Sequence, residues 1–427
     1  MLLDDAVATA KERYVASHPR SAELAERSAR VMPGGNTRSV LHVEPFAFRV
    51  VRADGARLHD ADGHTYLDLL GDYSAGLLGR GDVVADVVRS VVDRGWSYGA
   101  MSEPEAAFAE AVVSRFPSVD QVRFTNSGTE ANLMAVLTAR HATGRGRMVV
   151  FDDAYHGGLL NFGPGGDPLR VPFEFAVLPY NEVAAVEAEF ADHGGDIACV
   201  LVEPLMGSAG CIAGDPAFLD ALRRLTAASG AVLIFDEVMT SRLAVGGAQE
   251  LLGIRPDMTT IGKYLAGGLS FGAFGGRRDL MAAFDPHAGG LAHGGTFNNN
   301  AFTMAVGAAV HETLIDADAL AAVNKRGDIL RDGLNERFAA SSLDFCASGW
   351  GSLTTVHPVA GPVRSPADLR DADPRWRELF FFELLEAGFY LAPRGYLALS
   401  MEVTDDDVEA FLDAVGGFCR RHAGLVG

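Results

Sequence analysis

The sequence predicts an α/β protein: a large domain with a mainly parallel sheet covered by helices, and a small α+β domain built from both chain ends. Three observations predict it. From about residue 120, short two-sided apolar runs alternate with helical stretches, the signature of βα repeats. Before residue 70, apolar and polar residues alternate between turn dipeptides. After about 325 the pattern becomes helix, short strands, helix. The 427 residues suit two or three domains at roughly 150 each. The expected segments are 1–69 and 325–427 for the small domain and 70–324 for the large one.

Residues 3–31 are rich in Ala, Glu and Arg and read as helix, which MPGGN (32–36) stops. The run FAFRVVRADGARLHDADGHTYLDL (46–69) alternates apolar and polar, with Asp-Gly pairs at 54–55 and 62–63, and reads as short antiparallel strands. Residues 82–95 and 104–116 read as amphipathic helices. Strands are expected at VRF (122–124), RMVVF (147–151), IACVLV (197–202), AVLIF (231–235) and DMTTIG (257–262), and helices at 130–142, 183–190 and 216–229. GSLTTVHPV (351–359) and YLALSME (396–402) are further strand candidates.

Composition narrows the function. Lys and Arg total 36 against 56 Asp and Glu, a net charge of −20, which argues against nucleic acid as partner. The start, MLLDDAVATAKER, does not read as a signal peptide, and no apolar run approaches the ~18 residues of a membrane helix. Four scattered cysteines fit neither a metal nor a disulfide spacing. A cytoplasmic protein without membrane contact is the expectation.

Ligands of open parallel sheets bind beyond the carboxyl ends of the strands. Those ends deliver Ser127, Gly128, Thr129, Tyr155, His156, Glu203, Asp236 and Lys263 to one edge. TNSGTEAN opens a helix with small and hydroxyl residues, which suits a phosphate at free backbone N–H groups and equally suits an ordinary N-cap. Asp236 ends an apolar strand and needs a cationic partner, either a protonated ring nitrogen or an arginine. Lys263 ends another strand, where burial would lower its pKa and make it a nucleophilic amine; a plain surface lysine is the alternative. Tyr155-His156 suits either an aromatic cover for a planar ligand or a core pair. His287 and His293 lack ligand spacing, so no metal is expected. Neither a P-loop nor a dinucleotide fingerprint fits the glycines. Pyridoxal 5'-phosphate satisfies a lysine, a carboxylate, a phosphate cup and an aromatic surface together.

TNSGTEAN (125–132), YHGG (155–158), VEP (202–204), FDEVMTSR (235–242), TTIGKY (259–264) and GGTFNNN (294–300), with PGGNTRS (33–39) and APRGY (392–396), carry a resemblance over nearly the whole chain. The sequence resembles the fold-type I, class III pyridoxal-phosphate aminotransferases. Within them it is similar to the β-phenylalanine (β-amino acid) aminotransferases, related to glutamate-1-semialdehyde aminomutase. The resemblance implies a seven-stranded-type sheet and a shared-site homodimer. It implies Lys263 as Schiff-base lysine and Asp236 as partner of the ring nitrogen. Ser127, Gly128 and Thr129 would take the phosphate, with Thr296 reaching in from a second subunit. Tyr155 and Val238 would cover the ring faces, and Glu203 would support them.

For substrate, the resemblance implies Arg38 for the carboxylate of a β-amino acid, Arg394 for the α-carboxylate of the acceptor, and Tyr73 in the side-chain pocket. Asp72 stands where the related enzymes are expected to carry Glu. The implied reaction is ping-pong transfer of an amino group to a 2-keto acid such as 2-oxoglutarate or pyruvate. An aminomutase of the glutamate-1-semialdehyde type is the alternative.

Overall fold

The computed structural model describes residues 2–164, 166–288 and 290–425. In place of one helix over 3–31 there are two, Leu3–Ser17 and Pro19–Ala29. Pro19 accounts for the break. Its ring disfavours helical backbone at the preceding residue, and His18 sits at φ −125°, ψ 48°. The segment 46–69 forms an antiparallel meander of β1 (Val50–Asp54), β2 (Arg57–Asp60) and β3 (Thr65–Asp68). Gly55 and Gly63, from the two Asp-Gly pairs, take the left-handed turn positions at φ 46° and 94°. The two amphipathic helices form at Asp82–Arg94 and Glu103–Arg115.

The large sheet has seven strands. In chain order they begin with β4 (Gln121–Thr125), β5 (Arg147–Phe151), β6 (Glu174–Leu178) and β7 (Ile197–Val202). A small hairpin, β8 (Leu205–Met206) and β9 (Ile212–Ala213), precedes β10 (Val232–Asp236), β11 (Met258–Gly262) and β12 (Gly272–Gly276). The spatial order is β4-β12-β11-β10-β7-β5-β6. Pairing is parallel except at β12, which runs antiparallel to both neighbours. β7, β10 and β11 are buried along their whole length, which explains their uninterrupted apolar reading. Helices Gly128–Thr143, Val183–His193 and Pro216–Ser229 accompany the sheet.

Sequence periodicity marks neither β6 nor β12. β6 is an edge strand with a partly exposed face, so it lacks a long apolar run. β12 reads GAFGG, a loop-like composition, yet it lies inside the sheet. Packing demands its glycines. A Cβ at Gly272 would stand 2.1 Å from the Ser127 carbonyl oxygen, and one at Gly276 would stand 2.4 Å from that of Asp257. The close approach at Gly272 seats the start of helix Gly128–Thr143 on the sheet.

The C-terminal region contains helix Ala317–Ala339, β13 (Cys346–Trp350), β14 (Leu353–His357), helix Pro374–Glu386, β15 (Phe389–Tyr390), β16 (Tyr396–Ala398) and helix Asp405–His422. β13, β14 and β16 form one antiparallel sheet, while β15 lies parallel beside β3 and completes the order β1-β2-β3-β15. Helix Leu3–Ser17 packs on helix Pro374–Glu386, so both chain ends share one apolar core. The boundary expected at 324/325 falls within helix Ala317–Ala339.

Candidate active site

β4, β5, β7, β10 and β11 point the same way, and their carboxyl ends line one sheet edge. Asp236 closes β10 and is buried. Its Oδ2 accepts from His156 Nδ1 and Asn132 Nδ2, each at 2.8 Å, and its Oδ1 accepts from the Val238 N–H at 3.0 Å. Asn132 is itself fixed: its Oδ1 accepts from Thr260 Oγ1 at 2.6 Å and its Nδ2 also donates to the His156 carbonyl at 3.1 Å. Of the two partners weighed from sequence for Asp236, no arginine takes the place among the described residues; the donors are a histidine and an asparagine. His156 is buried, and its Nε2 has no hydrogen-bond partner. The sequence alone gave His156 no role beyond a ring pair and Asn132 none at all. Helical spacing from Ser127 is the one signal that places Asn132 inside the first turns of its helix.

Ser127 caps helix Gly128–Thr143, its Oγ accepting from the Glu130 N–H at 3.2 Å. The first N–H groups of such a helix have no partner within it, and its dipole favours an anion there. Gly128 and Thr129 occupy that first turn. Two contacts hold the turn tightly. A Cβ on Gly128 would press at 3.0 Å on Val238 Cγ2, and one on Gly157 would fall 2.1 Å from Thr129 Oγ1.

Glu203 follows β7 and is buried. It accepts from the Tyr155 and Gly207 N–H groups, both at 3.0 Å, and so ties two loops to the sheet edge. Burial pushes its carboxyl up to about 7, against the pull of nearby His156. Tyr155 remains 45% exposed. Lys263 follows β11 in left-handed backbone at φ 59°. Its Nζ donates to the Tyr73 carbonyl at 2.8 Å and to Ser74 Oγ at 3.2 Å. Burial lowers its pKa to about 8, with Asp236 and Glu203 acting in the opposite sense.

Tyr73 brings the two predicted arginines together. The guanidinium of Arg38 lies 5.4 Å and that of Arg394 5.3 Å from the Tyr73 ring centroid. The ring also lies parallel to Tyr396, with centroids 6.0 Å apart. Arg38 pairs with Asp72 at 2.7 Å, and Arg394 donates to Ser208 Oγ at 3.2 Å. Arg394 Nε is buried and without a hydrogen-bond partner. Leu41, Met239, Trp350 and Tyr390 pack around the apolar cluster that contains Tyr73 and Tyr396. Thr296 stands apart from these contacts, exposed in the segment before helix Ala301–Thr313; two residues on, Asn298 accepts from Asn126 Nδ2 at 2.9 Å.

The chain is similar to known proteins over nearly its whole length. The family description "Aminotransferase class-III" matches residues 39–163 and 164–414. A beta-phenylalanine transaminase of Variovorax paradoxus is 48% identical over 425 residues, covering 99% of this chain and 98% of the relative. A glutamate-1-semialdehyde 2,1-aminomutase of Sorangium cellulosum is 38% identical, covering 93% of this chain and 95% of its own. The crystal structure of a beta-phenylalanine aminotransferase from Variovorax paradoxus, 48% identical, superposes with a TM-score of 0.98 and coverage of 99% of each chain. The chain therefore belongs to the class-III aminotransferases, pyridoxal-phosphate transaminases of fold type I.

Proposed function

We propose that this transaminase moves the amino group of an aromatic β-amino acid, β-phenylalanine or a near relative, to a 2-keto acid such as 2-oxoglutarate or pyruvate. One observation carries the reading: two guanidinium groups flank a single aromatic ring, Arg38 and Arg394 at 5.4 and 5.3 Å from Tyr73. Arginine forks bind carboxylates bidentately, so the pocket offers an anchor for each of two acids beside an aromatic wall. The 48% identity to a beta-phenylalanine transaminase supports the same choice.

The residues fit the cofactor. An unpartnered buried His156 Nε2, a helix start walled by Val238 and Gly157, and a lysine amine of lowered pKa together match its ring, phosphate and aldehyde. Lys263 would hold it covalently through Nζ, and Asp236 would pair with its ring nitrogen. Ser127, Gly128 and Thr129 would hold its phosphate, joined by Thr296 of a second subunit. Tyr155 and Val238 would lie over its faces, with Glu203 fixing the loop that carries Tyr155. Bound there, the cofactor supplies an electron sink for the carbanion left when the substrate loses a proton.

The chain's own groups supply the rest. Arg38 exchanges Asp72 for the substrate carboxylate and sets the distance from carboxylate to amine. A pocket anchored there accepts an amine one carbon further from the carboxylate than in an α-amino acid. Lys263 Nζ takes the proton from the amine-bearing carbon and returns it, as base and then acid. His156 and Asn132 stabilise the negative charge of Asp236 and fix its direction. Arg394 then receives the keto acid in the second half of the cycle. A shared-site homodimer is part of this proposal, supported by exposed Trp96, Met101 and Phe297. A cytoplasmic setting is supported by four free, buried cysteines. No helix among the described residues is long and apolar enough to cross a membrane.

A panel of β- and α-amino acids, each assayed with and without 2-oxoglutarate or pyruvate, tests the proposal. Turnover of β-phenylalanine that requires a keto acid is expected. Turnover of α-amino acids alone would refute the substrate assignment. Rearrangement of an amino aldehyde without any acceptor would establish aminomutase chemistry in its place.

A further inference from the structure

Four successive residues, Gly71 to Ser74, hold φ of 52°, 44°, 54° and 74°. Glycine accepts such backbone freely, whereas Asp72, Tyr73 and Ser74 adopt it against their preference. The surroundings enforce it. Asp68 Oδ1 accepts from the N–H groups of Leu70 and Gly71 at 3.0 and 2.9 Å, and the Gly76 N–H closes onto the Gly71 carbonyl at 2.8 Å. A Cβ on Gly71 would stand 2.8 Å from the Ala398 carbonyl oxygen, so the turn is wedged against the C-terminal region. Strain concentrated in this way marks a place where the fold gives up backbone comfort for a geometric result.

The result is visible at Lys263. The turn aims the Tyr73 carbonyl and the Ser74 hydroxyl at Nζ, at 2.8 and 3.2 Å. Ser74 is buried, and the buried Tyr396 lies close to its side chain. The geometry points to the Gly71–Ser74 turn as the dock of the Lys263 amine whenever that amine is not bonded to the cofactor, with Ser74 as a positioning residue. This deepens the proposed function and rests on its reading of Lys263 as the covalent lysine.

The reason is the geometry of the nitrogen. A transaminase releases and recaptures its lysine in each half of the cycle. Free, that amine ends a four-carbon stem with many rotamers. Nitrogen has four tetrahedral positions. One is taken by Cε, and two N–H groups donate to Tyr73 and Ser74. The fourth is left as a lone pair that accepts the substrate's proton, or as the third N–H that returns it. The dock thus fixes two protons and leaves a single position for the one that moves, so no proton is gained or lost by the dock itself.

Ser74→Ala and Ser74→Gly test it together. Both remove the hydroxyl, but Gly relieves the positive φ and Ala keeps the strain, so backbone effects separate from the hydroxyl's. Three readouts are taken. Borohydride fixation shows whether the cofactor sits on the Lys263 peptide. The pH dependence of amine labelling at Lys263 in the apoenzyme gives its titration. The deuterium isotope effect at the amine-bearing carbon reports proton transfer. Both variants should keep the fixed adduct, and KM should change less than about twofold while kcat falls about 100-fold, the scale of a misplaced catalytic group. The isotope effect should rise. The Lys263 titration should move down from that measured in wild type, because the ammonium loses an acceptor. A fixed adduct with wild-type titration and isotope effect in both variants would overturn the dock and leave Lys263 as anchor. Normal behaviour of Ser74→Gly beside an impaired Ser74→Ala would overturn it too, assigning the effect to strain. Failure of wild type to fix the cofactor at Lys263 would overturn the anchor and the dock together.

Discussion

Gly157→Ala perturbs the proposed phosphate cup without replacing any residue proposed to touch the cofactor. Gly157 sits at φ 112°, and the new Cβ would stand 2.1 Å from Thr129 Oγ1, 2.5 Å from its Cβ and 2.7 Å from its Cα. Non-bonded heavy atoms settle at about 3.5–4.0 Å, so Thr129 must retreat by roughly 1–2 Å. The unfavourable backbone costs about 1–3 kcal/mol and the overpacking about as much again. That loss falls on the fold and lowers the melting temperature of the apoenzyme. A separate loss falls on the cofactor. If Thr129 gives up one hydrogen bond to a charged phosphate, about 1.5–3 kcal/mol disappears, or roughly 10- to 150-fold in Kd. Titration of apoenzyme with pyridoxal phosphate, followed by absorbance, reads the second loss, and thermal melting reads the first. Thr129→Val should reproduce the affinity loss with little loss of stability. Wild-type affinity in a clearly destabilised Gly157→Ala would remove Thr129 from the phosphate site.

Two further outcomes are expected. With its pKa lowered from 10.5 to about 8, Lys263 should present about 300 times more neutral amine at pH 7 than an ordinary lysine. Deprotonation makes the nucleophile, so apoenzyme labelling at this residue should climb with pH and level off above about 8; a rise continuing past pH 10 would contradict the burial argument. Arg38→Ala should raise KM for a β-amino acid far more than for an amine lacking a carboxylate, and should change KM for the keto acid less than Arg394→Ala does. Equal effects on amino acid and plain amine would remove Arg38 from substrate binding.

The sequence carried the sheet edge well, because that edge is written in local terms. β7, β10 and β11 are apolar runs that stop at a polar residue, and Glu203, Asp236 and Lys263 are those stops. β12 was illegible for the opposite reason. Its glycines answer to Ser127, Val119 and Asp257, residues remote in sequence, and no periodicity records a neighbour's backbone. The same holds for Asp236, whose partners His156 and Asn132 lie 80 and 104 residues away. Ser74 escaped notice because its importance lies in a φ of 74° and a contact 189 residues distant, neither of which a serine announces. Arg38, Tyr73 and Arg394 were legible through the resemblance, while their convergence on one ring required the fold.

The parallel pairing of Phe389 with Leu67 sets a timetable for synthesis. The meander emerges early, but the strand that covers its inner edge is made about 320 residues later. At 5–20 residues per second the delay is roughly 16–64 s. For that interval an open β-edge waits on the ribosome, a surface that invites pairing with the wrong chain. Nascent copies of this enzyme should therefore depend on chaperone shielding until β15 arrives, and slowing translation before that strand is made should lengthen the exposure and lower the soluble yield.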